Sequence, residues 1–186
     1  PNVVAVGGRM MFLSLQWFSL TTKNAVMNEE FLKPEIGRMS NLTELHLRSL
    51  EIPETEVSVL AGLSALRVLV FNDIVGMNRV KRLPTHVRKV AINNSSLVVL
   101  TNRNWGWLKY LRELVISDSQ VSRIDNRLFR FFPELSILNL RGNKLQQFVL
   151  GSADLLKLRK LKMNQNFLTS ISSELFDRPL LEEVDL

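Results

Sequence analysis

The 186-residue chain contains no cysteine and only two histidines. Without cysteine it can form no disulfide, which counts against a secreted domain that carries its own cystine-stapled caps. His46 and His86 have no partner at metal-ligand spacing and read as ordinary polar residues, so no metal is expected. The glycines of "VGGRMM" lack the G-x-x-x-x-G-K-[ST] pattern and read as a turn. With no nucleophile set beside a base, no metal cluster and no phosphate-cradling loop, the chain is not expected to be an enzyme or to carry a cofactor. No stretch reaches the roughly 18 consecutive apolar residues of a membrane span. "MMFLSLQWFSL", Met10 to Leu20, has the length of a signal-peptide core, but no small-x-small cleavage site follows it.

What the chain has is a repeat. In "LSILNLRGNKLQQF" leucines stand at 135, 138, 140 and 145, followed by Phe148, with Asn143 among them. The first interval is helical and the second that of a strand, so no single element satisfies both. The pattern returns in "LRKLKMNQNFLTSI", "LRELVISDSQVSRI" and "VRKVAINNSSLVVL", and begins in "LRVLVFNDI", "LTELHLRSL" and "LLEEVDL". First positions fall at 42, 66, 87, 111, 135, 158 and 181, with steps of 24, 21, 24, 24, 23 and 23 residues. Later positions keep phase: Trp105, Phe129 and Phe176 lie eighteen residues after theirs, and Leu108, Phe132 and Leu156 twenty-one after theirs.

This period resembles the leucine-rich-repeat family, in its roughly 24-residue extracellular class, over about 145 residues. The resemblance implies an α/β repeat solenoid, a curved horseshoe with a parallel sheet on the concave face and irregular or short helical segments on the convex side. In each L-x-x-L-x-L segment alternate side chains, such as Leu138 and Leu140, point into the core, while Ile137, Asn139 and Arg141 point out. Neighbouring repeats must cover one another's leucines, each contributing roughly 1.5–3 kcal/mol when buried. Asn143 falls where the chain leaves the strand, and its amide can both donate to and accept from turn backbone. Ser95 and Ser119 can do part of this; Leu50 and Ile74 cannot, so the first two turns are expected to be irregular. Residues 42–186 are expected to form six repeats and the start of a seventh. Residues 1–41 read as a divergent repeat or cap with Met10, Leu13 and Leu15 at strand positions. Leu186 leaves a repeat unfinished, so the native polypeptide, with any disulfide caps, is expected to continue.

Outward strand positions define the candidate site. Val68, Val70, Ala91, Val115 and Ile137 form an apolar band, with Asn139 beside it and Arg141, Arg159, Lys160 and Lys162 on its flank. The competing reading is β-propensity filling exposed strand positions. Glu183 and Asp185 share a strand face and read as solvated acids rather than a cation site. A net charge of +6 favours an acidic protein partner; no nucleic-acid partner is expected, and any homo- or hetero-oligomer would form through regions beyond the chain. Sequons at Asn41, Asn93 and Asn94 point to a glycosylated extracellular protein, with Asn41 and Asn94 the expected acceptors, since a glycan on Asn93 would obstruct the sheet. "LFRFFPELSILNLRGNKL" and "LFDRPLLEEVDL" resemble arthropod secreted or receptor members of the family, which implies partner recognition in innate immunity or at the cell surface. The alternative is the sensor region of an intracellular plant-type resistance protein, which "EIGRMSNLTELHL" and the missing cysteines would suit.

Overall fold

The computed structural model describes residues 16–26, 39–52, 59–80 and 82–186. Each L-x-x-L-x-L segment forms one strand of a parallel sheet, because only the strand period puts the fourth and sixth residues on the same buried side. The strands are β1 (Trp17–Val26), β2 (Glu44–Glu51), β3 (Val68–Asn72), β4 (Lys89–Asn93), β5 (Val99–Leu100), β6 (Glu113–Ser117), β7 (Arg123–Ile124), β8 (Ile137–Asn139), β9 (Gln147–Phe148), β10 (Lys160–Lys162), β11 (Ser170–Ile171) and β12 (Glu183–Asp185). The main sheet runs β1-β2-β3-β4-β6-β8-β10-β12. The opposite side carries the pairs β5–β7 and β9–β11, the single turn α1 (Asn102–Trp105) and 3-10 turns at Val59–Gly62, Met77–Arg79, Leu128–Phe131 and Ser173–Leu175. This is the expected solenoid.

First, fourth and sixth positions form one continuous core from Leu42, Leu45 and Leu47 to Leu158, Leu161 and Met163. Leu181, in the last repeat, is only partly buried. The core explains the register: Leu45, Leu69, Val90, Leu114, Leu138, Leu161 and Val184 pair in succession, and a slip of one residue would turn every one of them to solvent.

The strands leave the sheet through one repeated bend. Ser49, Asp73, Asn94, Asp118, Gly142 and Gln165 all have positive φ, between 48° and 67°. The N–H groups of Asp73, Asn94, Asp118 and Gly142 each donate to the next repeat at 3.0–3.1 Å, so the ladder continues one step past the strand. A Cβ at Gly142 would stand 2.4 Å from Asp118 Oδ1, so glycine is needed there for space as well as for φ. After the bend, Asn143 Nδ2 donates to the carbonyls of Ile116 (2.7 Å), Leu140 (2.9 Å) and Arg141 (3.1 Å). Its Oδ1 accepts from Val121 N–H at 3.1 Å. Asn166 repeats this, accepting from Leu145 N–H at 3.0 Å. Serine reaches less far: Ser95 Oγ accepts from Ile74 N–H and Ser119 Oγ from Ser95 N–H, two residues short of the asparagine targets.

Two expectations need correction. The second turn keeps the common bend, with Asp73 at φ 55°; the first is irregular as expected, since Ser49, also at φ 55°, lies inside β2 and the pairing with β1 shifts register there. Ile74 N–H is satisfied by the serine of the following repeat. Beyond Leu50, strand β2 runs on to Glu51 and backbone bonds couple Val75 N–H to Leu50 and Ile52 N–H to Val75. An apolar residue is tolerated in a turn whose neighbour supplies the missing partner. Phe176 and Leu156 are not core residues: they are 64% and 49% exposed, while Leu175 and Leu155 are buried. Both repeats are one residue short, so counting forward overshoots the buried position; counting back from the next strand finds it. The same count places Arg178 where Leu108 and Phe132 stand; it is buried there, donating to the carbonyls of Ser152 and Gly151 at 2.7 Å each. Met10, Leu13 and Leu15 lie outside the described residues. The first described strand begins at Trp17, opposite Glu44.

Candidate protein-binding face

Parallel pairing turns the outward positions into rows across the sheet. The central row reads Ser19, His46, Val70, Ala91, Val115, Asn139, Lys162 and Asp185. Beside it runs Trp17, Glu44, Val68, Lys89, Glu113, Ile137, Lys160 and Glu183. The band expected from sequence is therefore brought together in part. Val70, Ala91 and Val115 are adjacent, with Val68 beside Val70; Ile137 is separated from Val68 by Lys89 and Glu113. Val68, Val70, Val115 and Ile137 are half-buried and Ala91 is 6% exposed.

The flanking charges are largely engaged. Lys160 and Lys162 reach the two carboxylate oxygens of Glu183 at 3.2 and 3.0 Å, and Arg159 pairs with Glu182. Hydrogen bonds from Lys162 and then Lys160 hold the Glu183 carboxyl below its ordinary pKa. Lys89 and Glu113 pair at 2.9 Å between the valines and Ile137. Arg141 is exposed and donates to Gln165 Oε1 at 3.1 Å, and Asn139 Oδ1 accepts from Arg141 N–H at 3.0 Å. The result is an apolar centre in a surface of mutually neutralised side chains. Among the described residues no three His, Asp or Glu side chains gather as a metal set, and no helix is long and apolar enough to cross a membrane.

Three features of the face escape the sequence reading. Trp17 stands on β1, separated from Val68 by Glu44, and meets His46 edge-on, with ring centroids 5.7 Å apart. His46 also contacts Glu44 Oε1 at 2.6 Å. Counting back from Leu42 to "LQWFSL" would have found Trp17, since that segment keeps the spacing of its partner strand. Along the seventh positions Asn93 Nδ2 donates to Asn72 Oδ1 at 2.8 Å, and Ser117 Oγ donates to Asn93 Oδ1 at 2.7 Å, so the Asn93 amide is held within the sheet face. Asn94 is exposed, its Nδ2 donating to Asp73 Oδ1 at 2.7 Å, and Asn41 is exposed.

A single-layer parallel sheet backed by short turns, with buried leucines at a period near 24 residues, defines the leucine-rich-repeat solenoid. Residues 85–145 match the model of the leucine rich repeat family. Among solved structures the chain is similar to an internalin of Listeria monocytogenes, with 20% identity, a TM-score of 0.63, and 94% of this chain and 55% of that one covered. It is also similar to a chain of the octameric complex of Latrophilin 3, Unc5D and FLRT2, in which FLRT2 contributes its LRR part. There the identity is 18% and the TM-score 0.61, with 79% of this chain and 45% of that one covered. The chain thus spans about half the length of these structures. No curated protein matches the sequence.

Proposed function

We propose that this chain is a non-enzymatic recognition scaffold that holds a protein partner on its concave sheet, outside the cell, in innate immunity or cell-surface recognition. The observation that carries the reading is the Val70–Ala91–Val115 row. Val70 and Val115 are half-buried on either side of the small Ala91, and neighbouring Lys89, Lys160 and Lys162 pair with Glu113 and Glu183, in keeping with the apolar-centre and polar-rim arrangement of protein interfaces. Trp17, beyond Glu44 and His46 on the first described strand, adds an aromatic side chain of the kind enriched at interface anchors to the same face. The exposed sequons at Asn41 and Asn94 and the resemblance to arthropod secreted members support the extracellular placement. The solved complex containing FLRT2 supports protein binding by this fold.

A photo-crosslinking residue placed at Val115 should capture the partner from the secreted or cell-surface protein pool. The same residue at Gln147, on β9 away from the sheet, should not. Capture from Gln147 alone would move the binding surface to the convex side.

A further inference from the structure

We propose a second binding surface, for a linear sulfated polysaccharide, along the edge where the strands begin. Two connecting segments build it, residues 82–88 and 107–112. They line two clefts, one of about 260 Å³ between Arg82, Leu83, Thr85 and Trp107, the other of about 490 Å³ between Arg88, Lys109, Tyr110, Arg112, Pro133 and Glu134. His86 and Tyr110 stack between the two segments, ring centroids 5.9 Å apart and planes 16° from parallel. The clefts have no lining residue in common but are built from the same two segments, which this stack joins.

Charge distinguishes this edge from the concave face. On the sheet Lys89, Arg159, Lys160 and Lys162 each have a carboxylate; here Arg82, Arg88 and Arg112 make no ion pair among the described residues. Lys109 sits 4.9 Å from the Tyr110 ring centroid, an interaction that leaves its charge uncompensated. Glu134, the one acid in the lining, is bonded by Lys157 at 2.5 Å, and that bond, with the weaker attraction of Arg112, keeps it ionised. Four cations, Arg82, Arg88, Lys109 and Arg112, thus face one acid that Lys157 already bonds, an excess that a row of anions would match. Arginines supply forked donors suited to sulfate-like oxyanions, and repeated small attractions along a chain sum to useful affinity without a deep pocket.

The aromatic residues narrow the choice. Trp107 is 60% exposed and offers an open ring for the C–H face of a sugar. A single-stranded nucleic acid would want several successive open rings for its bases, but Tyr110 is already engaged by His86 and Lys109. A protein interface would want a core depleted of charge, which this edge lacks.

The test is titration of the intact chain with heparin, with chemically desulfated heparin and with single-stranded DNA of matched length, across a salt series. Tryptophan fluorescence and calorimetry provide the two readouts. Heparin should bind and quench Trp107 emission, and the desulfated chain should bind at least about tenfold more weakly. Arg88→Ala with Arg112→Ala should lower the slope of log affinity against log salt by about two, one per lost oxyanion contact. Arg123→Ala with Arg127→Ala, equal in charge but on the far side, should leave affinity and slope as they were. Trp107→Phe should abolish the quench, and circular dichroism checks that each variant is folded. Equal binding of desulfated heparin, tighter binding of DNA, or equal losses from the two arginine pairs would overturn the proposal.

Discussion

Replacing Asn143 by leucine adds apolar surface at a site that is 3% exposed, so a purely hydrophobic account expects stabilisation. The hydrogen bonds argue the opposite. Leucine would strand Val121 N–H, whose acceptor is Asn143 Oδ1, and the Ile116 carbonyl, which receives the shortest of the three Nδ2 bonds at 2.7 Å. The Leu140 carbonyl keeps a donor, Asn166 Nδ2 at 2.8 Å. Two buried polar groups left without partners cost about 1–3 kcal/mol each. The extra methyl groups return at most about 1–2 kcal/mol, since the pocket is shaped for an amide. The net loss should be about 2–4 kcal/mol. Serine at 143 should fall between, because Ser95 and Ser119 still satisfy a turn but bond two residues short of the Val121 position. Asn139→Leu, on the open face, gives up only its bond to Arg141 N–H, which water can replace, and should cost less than about 1 kcal/mol. Urea unfolding of the four proteins, compared at constant m-value, measures this directly. A leucine variant as stable as wild type would mean that the turn amides do not hold the repeats together.

Leu138→Ala, at a fully buried position, should cost about 2–5 kcal/mol, while Arg112→Ala should barely move the urea midpoint. Leu175→Ala should destabilise strongly and Phe176→Ala weakly; the reverse order would mean the shortened repeats are phased as forward counting has them. Glu183 and Glu134 are held below their ordinary value of 4.5 by lysines, so their contribution is complete above that value and disappears as pH falls through the lower folded-state values. Acidification should therefore lower the urea midpoint, and Glu183→Gln with Glu134→Gln should flatten that acid limb. Expressed through a eukaryotic secretory route, the chain should carry glycan at Asn41 and Asn94 but not at Asn93; mass spectrometry of glycopeptides reads the three sites separately.

The solenoid was legible because a core of stacked leucines imposes its period on the sequence without reference to distant residues. The first, fourth and sixth positions of each strand segment from Leu42 to Met163 reveal their burial through spacing alone. Phe176 and Leu156 were misread because a one-residue deletion is invisible until the next strand resets the count. The turn at Ile74 was misread because its missing partner, Ser95, comes from the following repeat, a contact that no single repeat encodes. For the face, alternation revealed which residues point outward, including Val70, Ala91 and Val115. It did not reveal that Lys160 and Lys162 converge on Glu183, since that depends on registers 23 residues apart and on side chains leaning across a strand.

The central claim is that the concave row seats the protein partner. Its most direct test is the dissociation rate of the partner captured at Val115, measured on immobilised wild type, Val70→Asp and Val115→Asp, with unfolding midpoints taken alongside. A carboxylate buried there without a counter-ion should speed dissociation by more than about tenfold while association and folding stay close to wild type. Two folded variants that release the partner at the wild-type rate would contradict the claim.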